Sequence, residues 1–154
     1  MWRNKSLGAL LVFATAVALA QAQQPNSCVD CHSALEGELH VTQEQFAQDV
    51  AKLIQKAGEL GYGVTFGEAW RTPEQAQWNA DHGIGIACSL HLQRLAVDLN
   101  LMVAGVYQPD DRSGCYKALG DFWKGLGADH YWGGDFTRVD LDHYSISPDG
   151  GHTR

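Results

Sequence analysis

Residues 95–103, LAVDLNLMV, alternate without a break. Leu95, Val97, Leu99, Leu101 and Val103 fall on one face, and Ala96, Asp98, Asn100 and Met102 on the other. A period of two over this length predicts a strand with one buried face, and it sets the carboxylate of Asp98 on the face away from the apolar ladder. Such a strand needs partner strands at its edges and an apolar layer over the ladder. Tyr62, Val64 and Phe66 alternate and predict a second strand; HYSI at 143–146 predicts a third. The cover is predicted to be helical. Phe46, Val50, Leu53, Ile54, Ala57 and Leu60 recur at helical spacing behind a T-x-x-Q capping box at Thr42–Gln45, with Gly61 as the stop. Thr72-Pro73-Glu74-Gln75 opens a second helix ending near Gly83, and residues 115–125 a third, packed through Tyr116, Leu119, Phe122 and Trp123. GVYQPDDRSG and YWGGD read as loops. The expected fold class is α+β, with helices packed on a small antiparallel sheet.

A chain of 154 residues with 45% apolar content supports one domain and one core. Its net charge of −7, without a basic block, argues against nucleic acid as a partner. Arg3 and Lys5, the apolar run at 7–20 and the small residues AQA at 20–22 form the three parts of an export signal over 1–22. The run is short for a membrane span, so cleavage would leave no stable span; a retained anchor would place the same domain outside the inner membrane. The expected organisation is a signal peptide (1–22), an extension carrying C-x-x-C-H (23–40), a folded domain (41–147) and a loose tail (148–154). A periplasmic or secreted monomer follows as the expectation. In that compartment disulfides persist, and the plain pairing of the four cysteines is 28–31 with 88–115.

Two histidines and one aspartate stand out. His91 lies just before the strand that presents Asp98, and His143 begins another predicted strand. Two imidazoles and a carboxylate, with a fourth position open, are the ligand set of a catalytic zinc ion. Hydrolysis there needs a second carboxylate to take a proton from water. Asp140, three residues before His143, is suited to this if the turn is tight, with Asp142 as the alternative.

The words around these residues are WRTPEQ (70–75), SLHLQRLAVDLNL (89–101) and WGGDFTRVDLDHYSI (132–146). They resemble the zinc peptidases of bacterial cell walls, a family of VanY-like D-Ala-D-Ala carboxypeptidases and L-Ala-D-Glu peptidases used as phage endolysins. The shared pattern is S-x-H, a carboxylate seven residues after that His, W-G-G-D, then D-x-x-H, and the resemblance covers residues 42–146. It implies a hedgehog/DD-peptidase-like zinc domain acting on peptide stems of peptidoglycan. It implies His91, Asp98 and His143 as zinc ligands, Asp140 as catalytic base, and Arg71 as a substrate-binding and oxyanion-stabilising group. Ser89 would bind substrate or support the site from its edge. Two positions depart from the pattern: Arg94 stands where many members have Gly, and Ser145 where many have Glu.

The extension admits other chemistry. Cys28, Cys31 and His32 form C-x-x-C-H, which can attach haem c, with His40 available as second axial ligand. A haem needs a surrounding pocket, and only about twenty residues separate the cleavage site from the first predicted helix cap. The alternatives are a Cys28–Cys31 disulfide, free thiols or an adventitious metal. The two rival functions are therefore a periplasmic haem protein and a non-catalytic wall-binding module.

Overall fold

The computed structural model describes residues 36 to 148. The leader, Cys28, Cys31, His32 and the last six residues lie outside them. The described chain is α+β: α1 (Glu36–Glu59), β1 (Tyr62–Phe66), α2 (Pro73–Asp81), β2 (Ala96–Val103), β3 (Val106–Tyr107), α3 (Cys115–Lys124), β4 (His130–Trp132) and β5 (His143–Ile146), with a 3-10 turn at Leu90–Gln93 ahead of β2. All strand pairs are antiparallel, in the order β1-β2-β5-β4, with β3 folded back on β2.

The alternating strand is the hub of this sheet. Its C-terminal half pairs with β1, where Phe66 faces Leu99 and Tyr62 faces Val103. Its N-terminal half pairs with β5, where Asp98 sits directly opposite His143. Leu95, Val97, Leu99 and Leu101 are buried, and α1 and α3 cover them through Phe46, Leu53, Ala57, Tyr116, Leu119 and Trp123. Trp123 is fully buried, donates from Nε1 to the carbonyl of Ser145 at 3.1 Å, and meets Phe46 edge-to-face. That bond satisfies the one polar atom of a side chain otherwise suited to a dry core.

Three expectations need correction. Thr42 is not a helix cap: α1 begins at Glu36, and the Thr42 hydroxyl donates back to the carbonyl of Glu38 inside the helix. This i−4 bond is the other use of a threonine hydroxyl, and sequence alone does not separate the two. The Thr72 box does cap α2, accepting from the Gln75 N–H at 3.2 Å. The segments read as loops contain β3 and two of the three residues of β4, strands too short to show a period.

The third correction concerns the cysteines. Cys115 is a buried free thiol at the start of α3, accepting from the Ser113 hydroxyl, whereas Cys88 is disulfide-bonded. The 88–115 pairing is therefore overturned. Cys28 and Cys31 lie outside the described residues. A non-reducing peptide map is expected to show Cys88 in a disulfide and Cys115 as a free thiol. Linkage to Cys115 would contradict this.

Candidate metal centre and active site

The site is built where β2 and β5 pair. A 3-10 turn delivers His91: the Ser89 side chain accepts from the His91 N–H, and Arg94 closes the turn in the left-handed region at φ 55°. Glycine is the usual residue for that conformation, which is why Arg94 stands out against the family pattern. Here its guanidinium lies over the ring of Trp70. The chain then enters β2, which presents Asp98, and the Asp98–His143 register supplies the third side chain.

The three side chains converge on one point. His91 Nε2 lies 3.3 Å from His143 Nδ1 and 3.3 Å from Asp98 Oδ1, and His143 Nδ1 lies 3.1 Å from Asp98 Oδ1. His91 and His143 are buried and Asp98 is partly buried. Hydrogen bonds do not account for this triangle. The ionised carboxylate brings no proton and each imidazole brings at most one to its inward nitrogen, so at most two of the three contacts can be bridged. A tetrahedral ion with ligands at roughly 2.0–2.1 Å would set them about 3.3 Å apart. The donor set and its spacing fit zinc. His91 Nδ1, the ring's other nitrogen, is buried with no hydrogen-bond partner among the described residues.

Burial pushes the Asp98 carboxyl up, but hydrogen bonds and charge from His143 and His91 outweigh it and hold the group well below the usual carboxylate range. Asp98 thus stays ionised, the form a metal ligand requires.

The WGGD and DLDH segments lock together behind this cluster. The Asp140 N–H donates to the Gly133 carbonyl at 2.9 Å, and the His143 N–H to the Asp140 carbonyl at 3.2 Å. A Cβ at Gly133 would collide with the Asp140 carbonyl. The same point lies 2.9 Å from His143 Cβ and 3.0 Å from Asp140 Cβ, so the two side chains leave the backbone side by side. Asp142 is pushed up to about 7, first by burial, then by the charge of Asp98 and by Asp140, to which its protonated carboxyl donates. Trp132 is buried and donates to the Leu141 carbonyl, whereas Trp70 is half exposed.

Arg71 is buried at the edge of the cluster, within reach of the charges of Asp98 and Asp140. It donates to Ser89 Oγ at 3.3 Å, which joins the RTP and S-x-H segments. Sequence reading missed Glu68, which holds Arg71 through two hydrogen bonds. An acid three residues before an arginine in a non-helical segment carries no periodic signal that would have revealed it.

Residues 83–146 match a family model described as D-alanyl-D-alanine carboxypeptidase. The matched span holds His91, Asp98, Asp140 and His143; Glu68 and Arg71 lie upstream of it. Among solved structures, the chain is similar to the Serratia marcescens L-Ala D-Glu endopeptidase ChiX, at 22% identity and a TM-score of 0.53 over 69% of this chain and 86% of that one. No curated protein matches the chain significantly. The matched span carries the whole converging His-Asp-His set, on a fold shared with a solved peptidase.

Proposed function

We propose that this protein is an exported zinc metallopeptidase, periplasmic or secreted, that hydrolyses peptide stems of peptidoglycan. The observation that carries the reading is the triangle of His91, Asp98 and His143, with edges of 3.1–3.3 Å. The peptidase domain of this proposal runs over 41–147. The family model names a carboxypeptidase and the similar structure an endopeptidase, and both act on bonds of the stem class.

In this reading His91, His143 and Asp98 hold the ion. Zinc bound there would polarise the scissile carbonyl and bring the pKa of water towards neutrality. Asp140 accepts the proton of the attacking water at its carboxylate and returns it to the leaving amine. Arg71 donates to the oxygen on which charge develops, a task for a cation that never loses its proton. Ser89 steadies both Arg71 and the turn that carries His91. The haem alternative needs both Cys28 and Cys31 as thioethers.

The deciding experiment is mass spectrometry of purified peptidoglycan fragments incubated with the mature protein, with and without a zinc chelator. Chelator-sensitive release of D-Ala would establish a carboxypeptidase, and a new free amine on D-Glu an endopeptidase. Intact fragments with zinc bound would leave the non-catalytic wall-binding module.

A further inference from the structure

Glu68 grips Arg71 with both carboxylate oxygens. Arg71 Nε donates to Oε1 at 2.8 Å and Nη2 to Oε2 at 2.5 Å. This is a two-point fork, the arrangement that fixes a guanidinium in orientation as well as in place. The main chain of the same residue is tied to the metal-bearing strand: the Asp98 N–H donates to the Glu68 carbonyl at 2.7 Å, and the Gly67 N–H to the Asp98 carbonyl at 2.8 Å. Glu68 therefore couples Arg71 to the backbone of Asp98 through one residue.

The fork matters because of what surrounds Arg71. Its guanidinium feels the charges of Asp98 and Asp140 as well as Glu68. A long, freely rotating cation beside these carboxylates would have no single orientation. Glu68 supplies a competing carboxylate at the rim, with a side chain 30% exposed against 6% for Arg71. Of the five guanidinium N–H groups, the fork takes two and Ser89 one, which leaves two for substrate.

We infer that Glu68 is a positioning residue for hydrolysis, fixing Arg71 so that its remaining donors meet the oxyanion. The inference rests on the reading that this site cleaves peptide stems.

The test is a double-mutant cycle on the zinc-loaded full chain, using Glu68→Gln, Arg71→Ala and the pair, with stem peptides as substrate. Glu68→Gln keeps size and loses the charge that selects the fork. It is expected to lower kcat roughly 10–100-fold, the scale of a small misplacement at a reacting centre. KM, zinc content and Tm are expected to stay close to wild type, a split that a general loss of structure does not give. Glu68→Gln is expected to cost nothing further in the Arg71→Ala background, because Glu68 acts through Arg71. Unchanged kcat in Glu68→Gln, or losses that multiply in the pair, would overturn the inference while leaving an active wild type. A zinc-loaded wild type that cuts no stem would overturn the functional reading, and this inference with it.

Discussion

Replacing His91 with alanine is expected to abolish zinc binding and hydrolysis together while the fold survives. His91 is fully buried and reaches both other members of the cluster at 3.3 Å. Without it only His143 and Asp98 remain, already 3.1 Å apart and able to share one hydrogen bond. Two donors do not make the three-ligand set of a catalytic zinc site. Loss of a partner that merely orients a metal ligand costs 10–100-fold in affinity or activity. Loss of the ligand itself is expected to exceed about 100-fold in both. Metal analysis after gel filtration, run beside amine release from stem peptides, reads the two effects on one sample. His82→Ala is the control, because His82 is exposed at the end of α2 and stacks on Trp78, away from the cluster. Full zinc stoichiometry in His91→Ala would remove His91 from the ligand set.

The fold is expected to survive because His91 sits on a turn whose other bonds are main-chain or capping bonds. The Arg94 N–H donates to the His91 carbonyl and the Leu95 N–H to the Leu90 carbonyl, neither needing the imidazole. The neighbouring core is carried by Leu95, Val97, Leu99 and Trp123. Site and core thus occupy opposite faces of β2, a division already visible in the sequence, because a strand that alternates must send Asp98 one way and its leucines the other.

The parts of the site legible in the sequence share that origin. Asp98 was placed by periodicity, and His91 and His143 by the short words around them. What stayed hidden depends on contacts that no period encodes. Glu68 reaches Arg71 in a segment without regular structure, so neither helical nor strand spacing relates them. The left-handed turn at Arg94 hides because a non-glycine residue occupies it. Thr42 imitated a cap because a hydroxyl near a helix start serves equally as cap or as i−4 donor. Cysteine pairing depends on the approach of distant segments, and spacing cannot choose among pairings.

Asp140→Ala is expected to leave a folded, zinc-loaded protein whose kcat has fallen roughly 10²–10⁴-fold, the contribution of a positioned general base. The competing assignment is Asp142, and geometry separates them. Asp140 leaves the chain beside His143, both Cβ atoms about 3 Å from one point next to Gly133. Its charge also reaches Arg71, so the proposed base and the proposed oxyanion donor border one space. The Asp142 carbonyl accepts from the Leu99 N–H at 2.8 Å, which ties that residue to β2. Its carboxyl, pushed up to about 7 by burial first and by its acidic neighbours after, donates in its protonated form to Asp140. Asp142 thus supports Asp140 as a donor, while Asp140 keeps the acceptor role that proton abstraction needs. Asp142→Asn preserves such a donor and is expected to cost less than about tenfold in kcat, well below the loss of the base itself. Zinc stoichiometry and Tm measured on both variants separate a chemical defect from a structural one. Full activity in Asp140→Ala together with collapse in Asp142→Asn would exchange the two roles, because only the group that accepts the water's proton is indispensable to turnover.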